Sequence, residues 1–182
     1  SKYQTRTELL SLKKSGISKD IDSVTQARFD KGHATEELAR PIVEEILNDE
    51  LYPVVGSIEV DGLKILASFD GLTMDNIVFE HKLWNKSLVE SVKNNDLPAH
   101  YYWQLEQQLL VADSEKAIFV VSDGTRENMK YMYYSPVPDR REKLISIWKQ
   151  FAIDLESFEP VEVQAKPEAK PLMELPTLSI AI

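Results

Sequence analysis

Three residues near the middle of the chain, Asp70, Glu80 and Lys82, have the types and spacing of a metal-assisted hydrolytic site. Asp70 ends one apolar segment, and Glu80-His81-Lys82 follows within the next. Successive side chains on a strand point to opposite faces, so Glu80 and Lys82 should share one face while His81 points to the other. Two carboxylates facing each other across a hairpin could share a hard divalent cation, Mg²⁺ or Mn²⁺.

Hydrolysis of a phosphodiester is the reaction that such a group suits best. Negative charge repels the nucleophile and builds up on the leaving oxygen, and a metal ion counters both effects by activating a bound water and neutralising charge. A lysine can orient or deprotonate that water. Acting as a base would require a depressed pKa for Lys82, because lysine normally titrates near pH ~10.4, whereas orienting the water requires no shift.

The D…E-x-K pattern alone is a weak indication in a chain with 28% charged residues. A structural salt bridge between Glu80 and Lys82 is the competing interpretation. The apolar residues Ile77-Val78-Phe79 immediately before Glu80 favour a functional role, because charges in an apolar strand are costly unless they are used. The histidines His33, His81 and His100 are weaker candidates, for which burial or solvation is the expected state.

The composition narrows the chemistry further. The chain has no cysteine, which excludes thiolate metal sites, iron–sulfur clusters and thiol nucleophiles and leaves oxygen or imidazole ligands for any metal. A net charge of -9 argues against a protein that coats nucleic acid but allows an enzyme with a local basic groove. No apolar run approaches the roughly 20 residues needed to span a bilayer. A cytoplasmic protein without a membrane partner is therefore expected.

The elements that must position the candidate residues are predicted from hydrophobic periodicity. A short amphipathic helix should precede Gly16, and a longer helix should follow from Thr25, with Pro41 as a kink or boundary. Asp61-Gly62 lies between two apolar runs, which indicates a hairpin. The long helix is expected to bury a stripe of apolar residues: Ala34, Leu38, Ile42, Val43, Ile46 and Leu47.

Strands are predicted near 51–60, 63–70 and 76–82, mostly antiparallel, and again at 117–121 and 129–135. A helix opened by Pro98 should run to Ala112, and a last helix should be capped by Asp139. The buried face of that last helix is predicted to contain Leu144, Ile147, Trp148 and Phe151. The order is helix, three strands, helix, strand, strand, helix, which predicts an α/β domain with a central mixed sheet flanked by helices.

The composition changes after Phe158. Residues 159–182 are rich in Pro, Glu, Lys and Ala and show no helical or strand period. We therefore expect one domain over 1–158 and a linker or tail over 159–182. The apolar end of that tail, Leu178 to Ile182, could dock elsewhere.

Four blocks of the sequence together resemble the lambda-exonuclease and YqaJ-type viral recombinase family of PD-(D/E)XK nucleases. Gly32 to Arg40 matches the family's G-x-x-x-E-x-x-A-R, and Ser68 to Gly71 matches S-x-D-G. Glu80 to Lys82 is E-x-K, and Tyr101 to Val111 matches Y-x-x-Q-x-x-x-x-L-x-V. The blocks occur in the family's order, and the resemblance extends over about 1–121.

The resemblance implies a restriction-endonuclease-like fold and a role for each matching residue. Glu36, Asp70 and Glu80 would be metal ligands, completed by the backbone carbonyl of His81, and Lys82 would be the catalytic lysine. Three further residues, Ser68, Gln104 and Arg40, would support the DNA phosphate or the attacking water. Glu106 stands where relatives often carry glutamine, and its charge should weaken a phosphate contact.

The resemblance further implies a Mg²⁺-dependent deoxyribonuclease, with Mn²⁺ as an alternative metal, that digests duplex DNA ends from 5′ to 3′ in phage recombination. It would work as a homo-oligomeric ring, a trimer, and pass single strands to an annealing protein in a bacterial host. Upstream of the position where this chain begins, the family usually has a tryptophan and arginine segment followed by a small-residue stretch that helps hold the 5′ phosphate. Two alternatives stay open: a PD-(D/E)XK endonuclease, and a catalytically silent module that binds DNA or a partner.

Overall fold

The computed structural model describes residues 5–16 and 22–159. Apart from Glu159, the predicted tail lies outside the described residues. Two helices, α1 (Arg6–Ser15) and α2 (Ser23–Leu47), precede three strands, β1 (Tyr52–Val60), β2 (Leu63–Leu72) and β3 (Val78–Leu83). The remaining elements are α3 (Lys86–Lys93), α4 (Ala99–Ala112), β4 (Ala117–Ser122), β5 (Lys130–Tyr134) and α5 (Pro138–Ser157).

The strands form one mixed sheet in the order β1-β2-β3-β4-β5. The pairs β1–β2, β2–β3 and β4–β5 are antiparallel, whereas β3 and β4 are parallel. A parallel pair needs a long crossover, and α3 and α4 supply it. The predicted fold class, an α/β domain with a central mixed sheet flanked by helices, is confirmed.

The β1–β2 hairpin turns at Asp61-Gly62, as the sequence predicts. Val60 pairs with Leu63, and the two residues between them have φ angles of 51° and 79°. A two-residue turn with both central residues at positive φ matches the twist of the flanking strands. This hairpin fixes the register of β2, and the functional candidate Asp70 lies in the last part of that strand.

The core lies on both faces of β4, whose six residues are all buried. Ile118 and Val120 pack in the cluster that includes Ala39 and Val43 of α2. Phe119 and Val121 point the other way, into the cluster that includes residues of α4. A strand that is covered on both faces has a continuous run of apolar residues in its sequence. This is why the position of β4 is predicted well from the sequence.

One helix, α3, is absent from the sequence-based prediction. It has eight residues, and its N-cap Asn85 accepts a hydrogen bond from the backbone of Leu88. Its buried face consists of Leu88, Val89 and Val92. With one apolar cluster in two turns, the segment shows too little periodicity to stand out.

The predicted buried stripe of α2 is wrong in part. The helix buries Thr35, Ala39 and Val43, whereas Ala34 is exposed and Leu38 is 61% exposed. Small buried residues allow the helix to lie close to the sheet, and that packing turns Ala34 and Leu38 toward solvent. The rest of the stripe packs inward as predicted: Ile42, Val43, Ile46 and Leu47. Pro41 does not end the helix, which continues through it to Leu47.

The start and the face of α5 also differ from the prediction. Asp139 is in the first turn rather than at the cap, because Pro138 takes the first helical position after Val137. Leu144 and Phe151 are buried as predicted, but Ile147 is exposed. No helix among residues 5–16 and 22–159 is long and apolar enough to cross a membrane.

Gly124 is the position where this fold should tolerate a side chain least. Its φ is +92°, and an added Cβ would lie 3.0 Å from the Cβ of Leu38 on α2. We expect Gly124→Ala to destabilise the chain by about 1–3 kcal/mol through backbone strain and this contact, measured by denaturant unfolding. The control is Gly62→Ala, which has φ +79° but open space around it. If Gly124→Ala lowers the free energy of unfolding no more than Gly62→Ala does, the close approach of Gly124 to Leu38 is contradicted.

Candidate active site

A buried ion pair on β3 lies at the centre of the candidate site. The side chain of Glu80 is 3% exposed, and its Oε1 contacts the Nζ of Lys82. Two amides of α4 also donate to this carboxylate: Gln104 to Oε1 and Gln108 to Oε2, each at 2.6 Å. Strand alternation brings Glu80 and Lys82 together, and the crossover helix holds them there.

Asp70 approaches the same group from β2. Its Oδ2 accepts a hydrogen bond from the backbone N–H of His81 at 2.7 Å. The pKa of Asp70 is raised to about 7, mainly by burial and also by the charges of Glu80 and Glu36, against the lowering effects of the His81 hydrogen bond and of Lys82. The three acidic side chains are therefore electrostatically coupled, although they come from three different elements.

Glu36 reaches the site from α2, where it is paired with Arg40 one turn later. Arg40 donates to Glu36 Oε1 at 2.6 Å and to the backbone carbonyl of Asp70 at 3.3 Å. The guanidinium therefore ties α2 to the end of β2. His33 lies at the surface, with Nδ1 3.9 Å from Glu36 Oε2 and its side chain 77% exposed.

These residues border an open cleft of about 540 Å³. Glu36, Asp70 and Lys82 line it, and cationic and aromatic side chains of α2 and α4 form other parts of its wall: Arg28, Phe29, His33 and Tyr101. The ring of Tyr101 lies 5.9 Å from Lys82 Nζ and packs against Phe119. The carboxylates of this cleft could hold a metal ion, and the positively charged side chains beside them, Arg28 and Lys82, could bind an anionic substrate next to that ion.

The pKa of Lys82 indicates which of its two conceivable roles suits the geometry. Burial would lower this pKa, but the charge of Glu80 and the hydrogen bond to it outweigh burial, so the pKa is raised. A lysine with a raised pKa stays protonated at neutral pH. In this arrangement Lys82 is suited to orienting a nucleophile or stabilising charge, and it is not suited to acting as a base.

His81 points to the opposite face of the strand. Its Nε2 lies 2.9 Å from the hydroxyl oxygen of Ser122, and burial lowers its pKa to about 4. The imidazole is therefore neutral and packed inside the domain. His100 stacks on Tyr101, with ring centroids 4.0 Å apart.

Gln108 is a site residue that the sequence analysis missed. It is 2% exposed, and its amide nitrogen donates both to Glu80 and to the carbonyl of Ser68, the latter at 3.0 Å. The signal was its position four residues after Gln104, which places both on one helix face. Ser68 itself is exposed and borders a second, smaller cleft together with both glutamines.

The expectation that Glu106 weakens a phosphate contact is wrong. Glu106 is fully buried, and it accepts hydrogen bonds from the hydroxyl of Tyr134 and from the backbone N–H of Val137 at 2.8 Å. It lies two residues from both Gln104 and Gln108, and at 3.6 residues per turn this spacing places it on the opposite side of the helix. Glu106 therefore anchors α4 to the segment between β5 and α5.

The donor types at this site fit a hard divalent cation, which prefers carboxylate oxygens. Glu36 and Glu80 both raise the pKa of Asp70, and a cation would relieve that repulsion. Within the described part of the chain, however, no three Asp, Glu or His side chains form a group ready to hold an ion. Glu36 and Glu80 are instead paired with Arg40 and Lys82.

The five-stranded mixed sheet, with Glu80 and Lys82 on its central strand, defines an α/β domain of the restriction-endonuclease-like fold. The chain belongs to the family of YqaJ-like viral recombinase domains, whose model matches residues 1–115. The resemblance stated from the sequence motifs is therefore confirmed.

Solved structures with the same fold include an alkaline exonuclease, LHK-Exo, from Laribacter hongkongensis. It is 21% identical, covers 84% of this chain and 78% of its own, and superposes with a TM-score of 0.67. The complex of LHK-Exo with dAMP gives 20% identity with the same coverage and TM-score. At this identity the likeness establishes the fold. No curated protein sequence matches the chain.

The raised pKa of Asp70 predicts how stability depends on pH. The native chain binds this proton more tightly than the unfolded chain, so the stabilisation is complete below the ordinary pKa of 3.8 and is lost as the pH rises through about 7. Asp70→Asn keeps an acceptor for the His81 N–H and removes the charge. We expect it to be more stable than wild type at pH 8, by at most about 4 kcal/mol, and the difference to shrink toward pH 4.

Urea unfolding in EDTA across this pH range measures the effect. The matched control is Asp113→Asn, which changes an exposed aspartate at the end of α4. A stability difference for Asp70→Asn that does not vary with pH would show that Asp70 is not the titrating group.

Proposed function

We propose that this chain is a metal-dependent deoxyribonuclease that degrades linear duplex DNA from its 5′ ends. The observation that carries the proposal is the buried Glu80–Lys82 pair, with Asp70 beside it, at the edge of an open cleft. A purely structural salt bridge would not need a second and a third carboxylate coupled to it. Membership of the recombinase family supports the same activity.

In this proposal Glu36, Asp70 and Glu80 hold the cation, Mg²⁺ or alternatively Mn²⁺, with the backbone carbonyl of His81 as a further ligand. The cation would supply charge neutralisation and an activated water. Lys82, protonated and bordering the cleft, would orient the nucleophile and stabilise charge on the phosphate.

Three residues would support the reaction in different ways. The amide of Gln104 donates to Glu80 and the guanidinium of Arg40 donates to Glu36, so both would act by orienting these carboxylates. Ser68 is exposed beside Gln104 and is the candidate for direct contact with a DNA phosphate. Gln108, which bridges Glu80 and the Ser68 carbonyl, joins the orienting group.

The broader setting is proposed from the change in composition after Phe158 for the domain bounds, and from the family for the assembly, partners and host. The nuclease domain would span 1–158, followed by a tail over 159–182. The protein would act on duplex ends as a homo-oligomer, a trimeric ring, and pass single strands to an annealing protein. Its place would be the cytoplasm of a bacterial host, encoded by a phage or prophage.

The first test is digestion of linear duplex DNA, with closed circles alongside, in Mg²⁺ and in EDTA. Wild type should shorten linear DNA from the 5′ ends and leave circles intact, and EDTA should abolish the activity. Lys82→Ala should lower the rate by about 10²–10³-fold, the usual loss when one group that stabilises transition-state charge is removed. The control is Lys149→Ala, which removes a lysine paired with Asp61 at the surface.

Each alternative has its own outcome in this experiment. Cleavage of closed circles would indicate an endonuclease with the same residues. Absence of Mg²⁺-dependent cleavage from every DNA would leave a silent binding module. Substrates labelled at the 5′ or the 3′ end determine the polarity.

A further inference from the structure

We propose that, in the ion-free chain, the ammonium group of Lys82 occupies the place beside the Glu80 carboxylate that a cation would take. Lys82 must then release this carboxylate before a cation can bind. The inference rests on the proposed function, since it takes Glu80 as a ligand. It adds a competition: the lysine that the reaction needs also opposes the binding of the ion. Lys82 would then couple ion binding to the availability of its own ammonium group in the cleft.

Oε1 of Glu80, the oxygen that contacts the cleft-lining Lys82, has both of its lone pairs occupied. Oε1 contacts Lys82 and accepts from Gln104, and Oε2 accepts from Gln108. A hard divalent cation needs direct contact with an oxygen at roughly 2.0–2.6 Å. For a cation that approaches Oε1 from the cleft, Lys82 or Gln104 must therefore give way.

Of these partners, Lys82 is the one that electrostatic repulsion by a bound cation would displace. An ammonium group and a divalent cation on the same carboxylate repel each other, whereas a neutral amide can share an oxygen because each carboxylate oxygen has two lone pairs. The two glutamines can therefore remain in place.

Lys82 is also the partner that can move. Its side chain is 27% exposed and borders the cleft, whereas the Glu80 side chain is 3% exposed. Gln108 is 2% exposed and is tied to the Ser68 carbonyl as well. The released ammonium would be next to the cleft in which an anionic substrate is expected.

The other ion pair of the site does not impose the same requirement. Arg40 holds only Oε1 of Glu36 and is anchored to the Asp70 carbonyl. Oε2 of Glu36 faces His33 at 3.9 Å, which is longer than a hydrogen bond. Glu36 can therefore offer one oxygen while Arg40 stays, and the proposal is restricted to Lys82.

The first test is Mn²⁺ binding without DNA, by calorimetry, for wild type and Lys82→Met. Methionine keeps most of the length of the unbranched side chain and removes the charge. We expect at least about tenfold tighter binding by the variant, ~1.4 kcal/mol, although the same variant should lose nuclease activity. Lys149→Met, the surface control, should bind as wild type does. Equal or weaker binding by Lys82→Met would overturn the proposal.

The second test uses the wild-type chain, so that it holds even if Lys82→Met folds poorly, and it separates release from simple repulsion. In ¹⁵N-lysine NMR the Lys82 ammonium should give a protected signal in EDTA, assigned by its absence in Lys82→Arg. Saturation with Mg²⁺, which is diamagnetic, should remove this protection. A Lys82 signal that stays protected at saturating Mg²⁺ would show that the Lys82–Glu80 ion pair persists, and this result would overturn the proposal.

These outcomes are distinct from those that bear on the nuclease assignment. Suppose that Lys82→Met binds Mn²⁺ more tightly and that the wild-type Lys82 signal loses its protection in Mg²⁺, but that wild type does not cleave DNA. This result would support the competition and reject the nuclease. Mg²⁺-dependent cleavage by wild type with unchanged affinity in Lys82→Met would support the nuclease and reject the competition. No ion binding by wild type would overturn both.

Discussion

The buried carboxylate of Glu80 is the constraint on which the rest of the site depends. A charge on a central strand is costly unless it is paired and hydrogen-bonded, and here both requirements are met locally. Lys82 supplies the opposite charge, and Gln104 and Gln108 supply amide hydrogens. Removing one partner would leave a buried charge only partly compensated, so these residues form a unit.

This requirement explains why the crossover helix is also part of the site. The parallel pair β3–β4 needs a crossover, and α4 returns across the sheet so that Gln104 and Gln108 reach Glu80. On its far side α4 is fixed by Glu106, which accepts from Tyr134 and from Val137. Both faces of the helix therefore carry buried polar contacts, and the position of the glutamine amides follows from the packing of the whole sheet.

A conflict between stability and function is built into this arrangement. The internal cations Lys82 and Arg40 neutralise carboxylates that a metal-dependent nuclease would use as ligands. Burial is the main cause of the raised pKa of Asp70, but the charges of Glu80 and Glu36 raise it as well, so this neutralisation is incomplete. Residual repulsion among the acids is the electrostatic condition under which a divalent cation would be taken up.

The sequence by itself determined the strand pattern, the turn at Asp61-Gly62 and the pairing of Glu80 with Lys82, because each depends on neighbours within a few residues. It did not determine which side of α2 is buried, where Leu38 turns to solvent, nor the helix α3. It also missed Gln108 and misjudged Glu106, since the role of a helix face depends on what packs against it. The approach of Glu36 on α2 to Asp70 and Glu80 was decided by the tertiary structure, because no local interaction brings this helix against the sheet; before that, only the family resemblance grouped the three residues.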